Sequence, residues 1–365
     1  MINEKLLKNE EKVVYELRSL YSSFGYSQYK MSKFEEYDLY VRNKDFLISD
    51  RIITFTDTNG KLLALKPDVT LSIINNYSKS SGAIQKMYYN ENVYRVSGVN
   101  GRFREIMQTG LECIGEIGSY EIAEVLYLAI KSLGVIDECF SLEVSHAQLL
   151  YSLLADAGIE KNVLSEVLAC INNKSSGENE NLLKENKITA GQAELISALN
   201  DSYSDINSLK KTMNAFSLSE NTEEYLNEFT KILNSVLSEE NKGKITVNFS
   251  LSSDAGYYSG IVFKGYINSI PVCVLSGGQY DKLMKKFGEN AGAVGFAVYL
   301  DSLERFKSKA SQYDTDVILL CDKASDLSSV IKAVEEIIAG GESVLVQNSV
   351  PENISYKRIV KWEGR

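Results

Sequence analysis

The feature that most restricts the fold of this chain is a change of hydrophobic period near Ala147 that is reversed near Lys244. Between these points LLYSLLADAGI, VLSEVLACI, AELISALND and TEEYLNEFTKILNSVL all repeat apolar residues at helical spacing. On either side the apolar residues alternate or run in short β-rich blocks. A helical block at about 147–240, set between strand-rich segments, reads as a helical insertion. The Asn/Glu-rich stretch 173–187 reads as a polar connector inside that block.

The strand-rich segments are DFLISDRIITFTDTNGKLLALKPDVTLSII, KMYYNENVYRVSG and GRFREIMQTGLECIG before the block, and KITVNFSLSSDAGYYSGIVFKGYI, IPVCVLSGGQYDKL and GAVGFAVYLDSLERF after it. Thr58-Asn59-Gly60-Lys61 predicts a hairpin, because Asn-Gly suits a turn with positive φ. Leu7, Val13, Val14, Leu17, Leu20 and Tyr21 share one face of an opening helix. Ser119 to Leu133 predicts a helix stopped by Gly134, and 137–144 a further strand. Residues 311–365 carry a small βαβ pattern. The expected division is therefore 1–306 for the main domain and 311–365 for a truncated α/β fragment.

Charge and residue usage exclude several functions. Of the 365 residues, 39 are Lys or Arg and 49 Asp or Glu, a net charge of −10, so no global basic surface for nucleic acid exists. There is a single histidine, His146, which leaves almost nothing for a His-rich zinc site or a catalytic triad. His146 itself reads as a structural or surface residue. The five cysteines are scattered without a CxxC pair, as in a reduced cytoplasmic protein. No apolar run approaches the roughly 20 residues of a membrane span, and the first residues lack a signal-peptide core. A cytoplasmic protein without metal or cofactor is the expectation.

Four segments carry chemistry. In IMQTGLECIG, strand alternation puts Gln108, Gly110 and Glu112 on one face, the two polar residues about 13 Å apart at roughly 3.3 Å per residue. A zwitterion lying over Gly110 would meet an amide at one end and a carboxylate at the other; a solvated polar face with a bulge is the alternative. Asp68 and Thr70 follow Pro67, where Asp68 suits either a helix cap or an ammonium. Arg102 and Arg104 suit a carboxylate, a phosphate or a solvated edge. In GYYSGIVF, Tyr258 shares a face with Gly260, while Tyr257 points the other way.

In order and spacing, LKPDVT, NVYRVSGVNGRFREIMQTGLECIG, LSSDAGYYSGIVF, VLSGGQYDKL and AVGFAVYLDSLERF resemble the catalytic core of histidyl-tRNA synthetases, over roughly residues 1–306. The resemblance implies the α+β class II synthetase fold, an antiparallel sheet flanked by helices with a helical insertion and a small C-terminal α/β fragment, and a homodimer. It also implies a histidine pocket in which Asp68 and Thr70 meet the α-amino group. Gln108, Glu112 and Tyr258 complete that pocket; Arg95, Arg102 or Gln108 is the expected partner of the ligand carboxylate, and Tyr257 is a further candidate.

The chemistry that the family performs is not matched. Ser253 stands where the resemblance implies an arginine on the substrate carboxylate and α-phosphate, Ser302 where it implies one on ATP, and Ser97 where a glutamate follows Arg95. Losing a charge-stabilising donor costs about 10²–10³ in rate, and phosphoryl-transfer arginines are worth about 10³–10⁵. The pattern is similar to the regulatory subunits of ATP phosphoribosyltransferase. That resemblance implies a non-catalytic partner of the short-form catalytic subunit, assembled as a homodimer within a hetero-octamer, with histidine as effector and no tRNA. A divergent synthetase and a free-standing histidine sensor are the alternatives.

Overall fold

The computed structural model describes residues 9–44, 47, 51–77, 84–96, 101–254, 258–307, 313–322 and 326–362. The chain divides into two compact units, 1–306 and 307–365. The first holds strands β1 (Ser27–Gln28), β2 (Phe34–Glu36), β3 (Thr54–Thr56), β4 (Leu62–Leu65), β5 (Gln85–Val96), β6 (Phe103–Gly115), β7 (Phe140–His146), β8 (Ser202–Tyr203), β9 (Ile245–Asn248), β10 (Ile261–Ile267), β11 (Leu275–Gln279) and β12 (Gly292–Tyr299). Nine of them form one sheet in the order β1-β5-β6-β12-β11-β10-β7-β9-β8, and β2-β4-β3 form a second.

The centre of the large sheet is antiparallel from β5 to β7. Parallel pairs occur only towards its ends, at β1–β5 and β7–β9. The predicted hairpin joins β3 to β4, with Gly60 at φ +80° where a Cβ would be strained.

One face of the sheet buries Leu111, Cys113, Phe263, Phe296 and Val298 against the helix Ser119–Ile136 and the opening helix Asn9–Ser23. Leu7 of the expected opening helix lies outside the described residues. The Ser119 helix does not stop at Gly134 but runs on to Ile136. A helical glycine costs about 1 kcal/mol, whereas burying Ile136 is worth roughly 1.5–3 kcal/mol. Packing therefore overrides the breaker.

The insertion is helical as expected, with helices at Ala147–Asp156, Leu164–Asn172, Ser176–Lys184, Ala190–Asn200, Ile206–Met213 and Glu220–Val236. Two details differ from expectation. The polar connector contains the helix Ser176–Lys184, begun by Ser175, whose hydroxyl accepts from the Glu178 N–H. Between two of the helices, Ser202–Tyr203 pairs with β9, so the insertion also supplies the sheet's last strand.

His146 is buried and structural. Its Nδ1 accepts the Leu149 N–H at 3.1 Å, capping the helix Ala147–Asp156, and its ring packs against Tyr225 and Phe229. Burial lowers its pKa to about 4. The unfolded chain thus binds the extra proton between about pH 6.5 and 4, and stability is lost as pH falls through that window. His146→Asn keeps a capping acceptor but cannot titrate. Its urea midpoint is expected to fall less than that of the wild type between pH 7 and pH 4.5.

The second unit is a parallel three-stranded sheet, β14-β13-β15, from β13 (Thr315–Leu320), β14 (Val344–Gln347) and β15 (Tyr356–Lys361), with the helix Leu327–Ala339. The βαβ pattern accounts for β13 and β14; β15 is a third strand that the pattern does not contain. Among the described residues no helix is long and apolar enough to cross a membrane.

Candidate functional site

On the face of the large sheet opposite the Ser119 helix, the register aligns Met87, Glu112, Gly295, Gly278, Val262 and Ser145 in one row across six strands. The two glycines leave a gap beside Glu112. A Cβ on Gly295 would stand 1.8 Å from the Glu112 Oε2, and one on Gly278 2.6 Å from the Tyr258 ring. Glu112 and Tyr258 thus reach over neighbouring strands towards each other because both floor positions lack side chains.

Gly110 plays a different part from the one its strand pattern suggests. A Cβ there would meet the Phe296 carbonyl at 2.2 Å and the Tyr89 hydroxyl at 2.6 Å. The glycine admits the Tyr89 phenol and a neighbouring strand, not a ligand. Gln108 and Glu112 lie on one face as predicted, and both are buried, so the solvated-face alternative is excluded.

Glu112 is the chemical centre of the face. Its Oε1 accepts the Thr70 hydroxyl at 2.7 Å, and its Oε2 accepts the Tyr280 phenol. Burial pushes its pKa up to about 8 and the charge of Asp68 adds to that; the Tyr280 and Thr70 hydroxyls pull it back down. The carboxyl group is therefore largely protonated at pH 7 while no cation is near.

Asp68 takes the helix-cap role that the sequence allows it and also faces a cation of the chain itself. Its Oδ1 caps the helix Val69–Asn75 by accepting the Leu71 N–H at 2.9 Å. Its Oδ2 faces the Arg95 guanidinium at 3.5 Å, while Arg95 Nε donates to the Pro67 carbonyl at 2.8 Å. Burial raises the Asp68 pKa, opposed by Arg95 and by the cap. Next to Gln108 in register stands Glu91, which pairs at 2.9 Å with Lys66, whose side chain is wholly buried. Desolvation lowers the Lys66 pKa despite that partner. A buried pair of this kind contributes little net stability, but losing one member strands a charge.

The cluster holds three carboxyl groups, Asp68, Glu91 and Glu112, against two cations, Lys66 and Arg95. A cationic group entering beside Glu112 would restore the carboxylate, so the arrangement suits a ligand carrying an ammonium or imidazole N–H.

Arg102 is exposed ahead of β6, and the residue in register with Arg95 is Arg104. Tyr257 lies outside the described residues, as does the side chain of Ser253 in the turn Phe249–Asp254. Ser302 is half-buried on the helix Leu300–Lys307. Three members of the cluster, Tyr280, Lys66 and Glu91, are not among the residues that sequence reasoning singles out. Strand alternation from Gly278 puts Tyr280 on the Glu112 face and could have found it; nothing local marks Lys66. Among the described residues no group of His, Cys, Asp and Glu is placed to hold a metal ion.

A sheet of this order, flanked by helices and carrying buried carboxyl groups beside a glycine floor, defines a class II aminoacyl-tRNA synthetase-type domain. The profile of the histidyl-tRNA synthetase family matches residues 2–303. An ATP phosphoribosyltransferase regulatory subunit from Caldanaerobacter subterraneus subsp. tengcongensis is 30% identical over 292 residues, covering 78% of this chain and 75% of the relative. The chain belongs to the histidyl-tRNA synthetase family, in the branch whose members are ATP phosphoribosyltransferase regulatory subunits.

Two solved structures share the fold. A regulatory subunit/histidyl-tRNA synthetase from Bacillus halodurans matches with a TM-score of 0.75 at 23% identity, over 97% of this chain and 93% of that one. A chain of an ATP phosphoribosyl transferase complex from Thermotoga maritima matches with a TM-score of 0.61 at 21% identity, over 80% and 97%.

Proposed function

We propose that this protein is the non-catalytic regulatory subunit of a short-form ATP phosphoribosyltransferase in the cytoplasm. It activates the catalytic subunit, as a homodimer within a hetero-octamer, and conveys inhibition by histidine. The names of its relatives support the partner. The observation that carries the effector is Glu112: a desolvated carboxyl group held by two hydroxyls over a glycine floor, poised to meet an imidazole N–H. Asp68 and Thr70 suit the ligand's ammonium. Gln108, Arg95 and Arg102 are the candidates for its carboxylate, and Tyr258 and Tyr257 for the outer edge of the ring. Ser302 offers no cation to ATP, which favours regulation over adenylate formation.

Regulation follows from linkage. Histidine shifts activity only by as much as its affinity differs between the active and inhibited assemblies. The test is reconstitution with a short-form catalytic chain, reading phosphoribosyl transfer against histidine concentration. Activation by this chain, reversed by histidine, is the expected result; no complex and no rate change would refute it, as would histidine-dependent ATP–pyrophosphate exchange by the pure protein. In the same assay Tyr258→Phe is expected to raise the half-inhibitory histidine concentration about tenfold or less, the worth of one hydrogen bond, with assembly unchanged by gel filtration.

A further inference from the structure

We infer that Tyr280 is a positioning residue that sets whether Glu112 holds its proton and so lets the site share one proton with a bound imidazole. The inference rests on the reading of this face as a histidine site. Tyr280 follows β11, is itself buried, and gives its phenol to Glu112 Oε2, while Thr70 occupies Oε1 from the other side. Gly295 beneath the carboxyl group has no side chain, so these two hydroxyls fix the rotamer. Among the described residues the titratable groups facing Glu112 are Asp68 at the start of the Val69 helix, Tyr89 on β5, Tyr280, and Tyr258 across the glycine floor. Tyr89 is held neutral by burial, and the Asp68 charge is partly met by Arg95. Tyr280 is thus the neighbour whose removal changes the proton affinity of Glu112 most directly.

The consequence is a defined proton count. A complex in which Glu112 and the imidazole share one proton exchanges none with solvent between the imidazole pKa of about 6.5 and that of Glu112. Below that window binding must release a proton, and above it binding must take one up. At pH 8.5 a Glu112 that titrates at about 8 is roughly three-quarters ionised, so binding takes up most of one proton. Without the phenol Glu112 is harder to ionise, and less uptake remains.

The test is calorimetric titration of histidine into the intact protein at pH 8.5, in buffers of different ionisation enthalpy. Tyr280→Phe is expected to take up about half as many protons per histidine as the wild type, or fewer; the ligand's own amino group contributes equally to both. Equal uptake, with or without weaker binding, would overturn the role of Tyr280 alone. No histidine binding by the wild type at any pH would overturn the site itself. If Tyr280→Phe does not fold, Thr70→Val removes the opposite donor. The infrared carbonyl band lost in Glu112→Gln then reports the proton directly. A rise in its midpoint with Thr70→Val supports control by hydroxyl donors, and a midpoint unmoved from the wild type refutes it.

Discussion

Glu112→Ala is expected to abolish histidine inhibition over the useful concentration range while the protein still assembles with the catalytic subunit and activates it. Truncating one partner of a buried charge pair costs about 2–5 kcal/mol, or roughly 30-fold to over a thousandfold in affinity. The upper part of that range applies here, because the alanine also leaves the Thr70 and Tyr280 hydroxyls without their shared acceptor. A dose–response curve in the reconstituted assay measures it, and unchanged inhibition would move the effector to another site.

The same residue gives a stability signature. Its folded pKa of about 8 lies above the ordinary 4.5, so the folded state binds more protons than the unfolded one between those values. Stability is therefore lost as pH rises from about 4.5 to 8. Glu112→Gln cannot titrate, and its urea midpoint is expected to gain on the wild type across that window, each pKa unit being about 1.4 kcal/mol.

Gly295→Ala is expected to damage the sheet and the candidate site together. The added methyl would lie 1.8 Å from Glu112 Oε2 and 2.4 Å from the Leu111 carbonyl oxygen. The carboxyl group can swing away, but the Leu111 oxygen belongs to the paired strand β6 and moves only with the backbone. Overpacking costs about 1–3 kcal/mol when side chains can adjust, and occasionally more; here the backbone must yield, so the loss is placed at about 3 kcal/mol or above. Denaturant unfolding measures it. The variant should also lose histidine inhibition, because displacement of Glu112 breaks its hydrogen bonds with Thr70 and Tyr280. Gly25→Ala, by contrast, faces open space and tests only the strain of its φ of +81°.

The legibility of the fold and site in the sequence varies from residue to residue. The period change places the insertion, and Asn59-Gly60 places the hairpin, because both are local properties of the backbone. Alternation puts Gln108 and Glu112 on one face. It does not tell whether that face meets water, since burial depends on elements distant in sequence, the helix Val69–Asn75 among them. The same limit explains Gly110: a strand glycine signals close approach but not by what, and the approaching group is Tyr89, 21 residues earlier in sequence. Gly134 does not end its helix, because a breaker costs less than the burial of Ile136 beyond it contributes. The helix Ser176–Lys184 escapes a periodicity reading because its apolar residues are few and its Ser175 cap decides its start.

By itself the sequence determined the α+β class, the place of the helical block, the family and the shared face of Gln108 and Glu112. All of these follow from periodicity, turn chemistry and motif order, which are written along the chain. Only the tertiary structure decided that burial pushes the Glu112 pKa up to about 8, that Asp68 serves the helix and Arg95 at once, and that Tyr280 and the Lys66–Glu91 pair join the same cluster. Those facts depend on desolvation and on distances between strands far apart in sequence, and neither quantity exists until the sheet has formed and its face is covered.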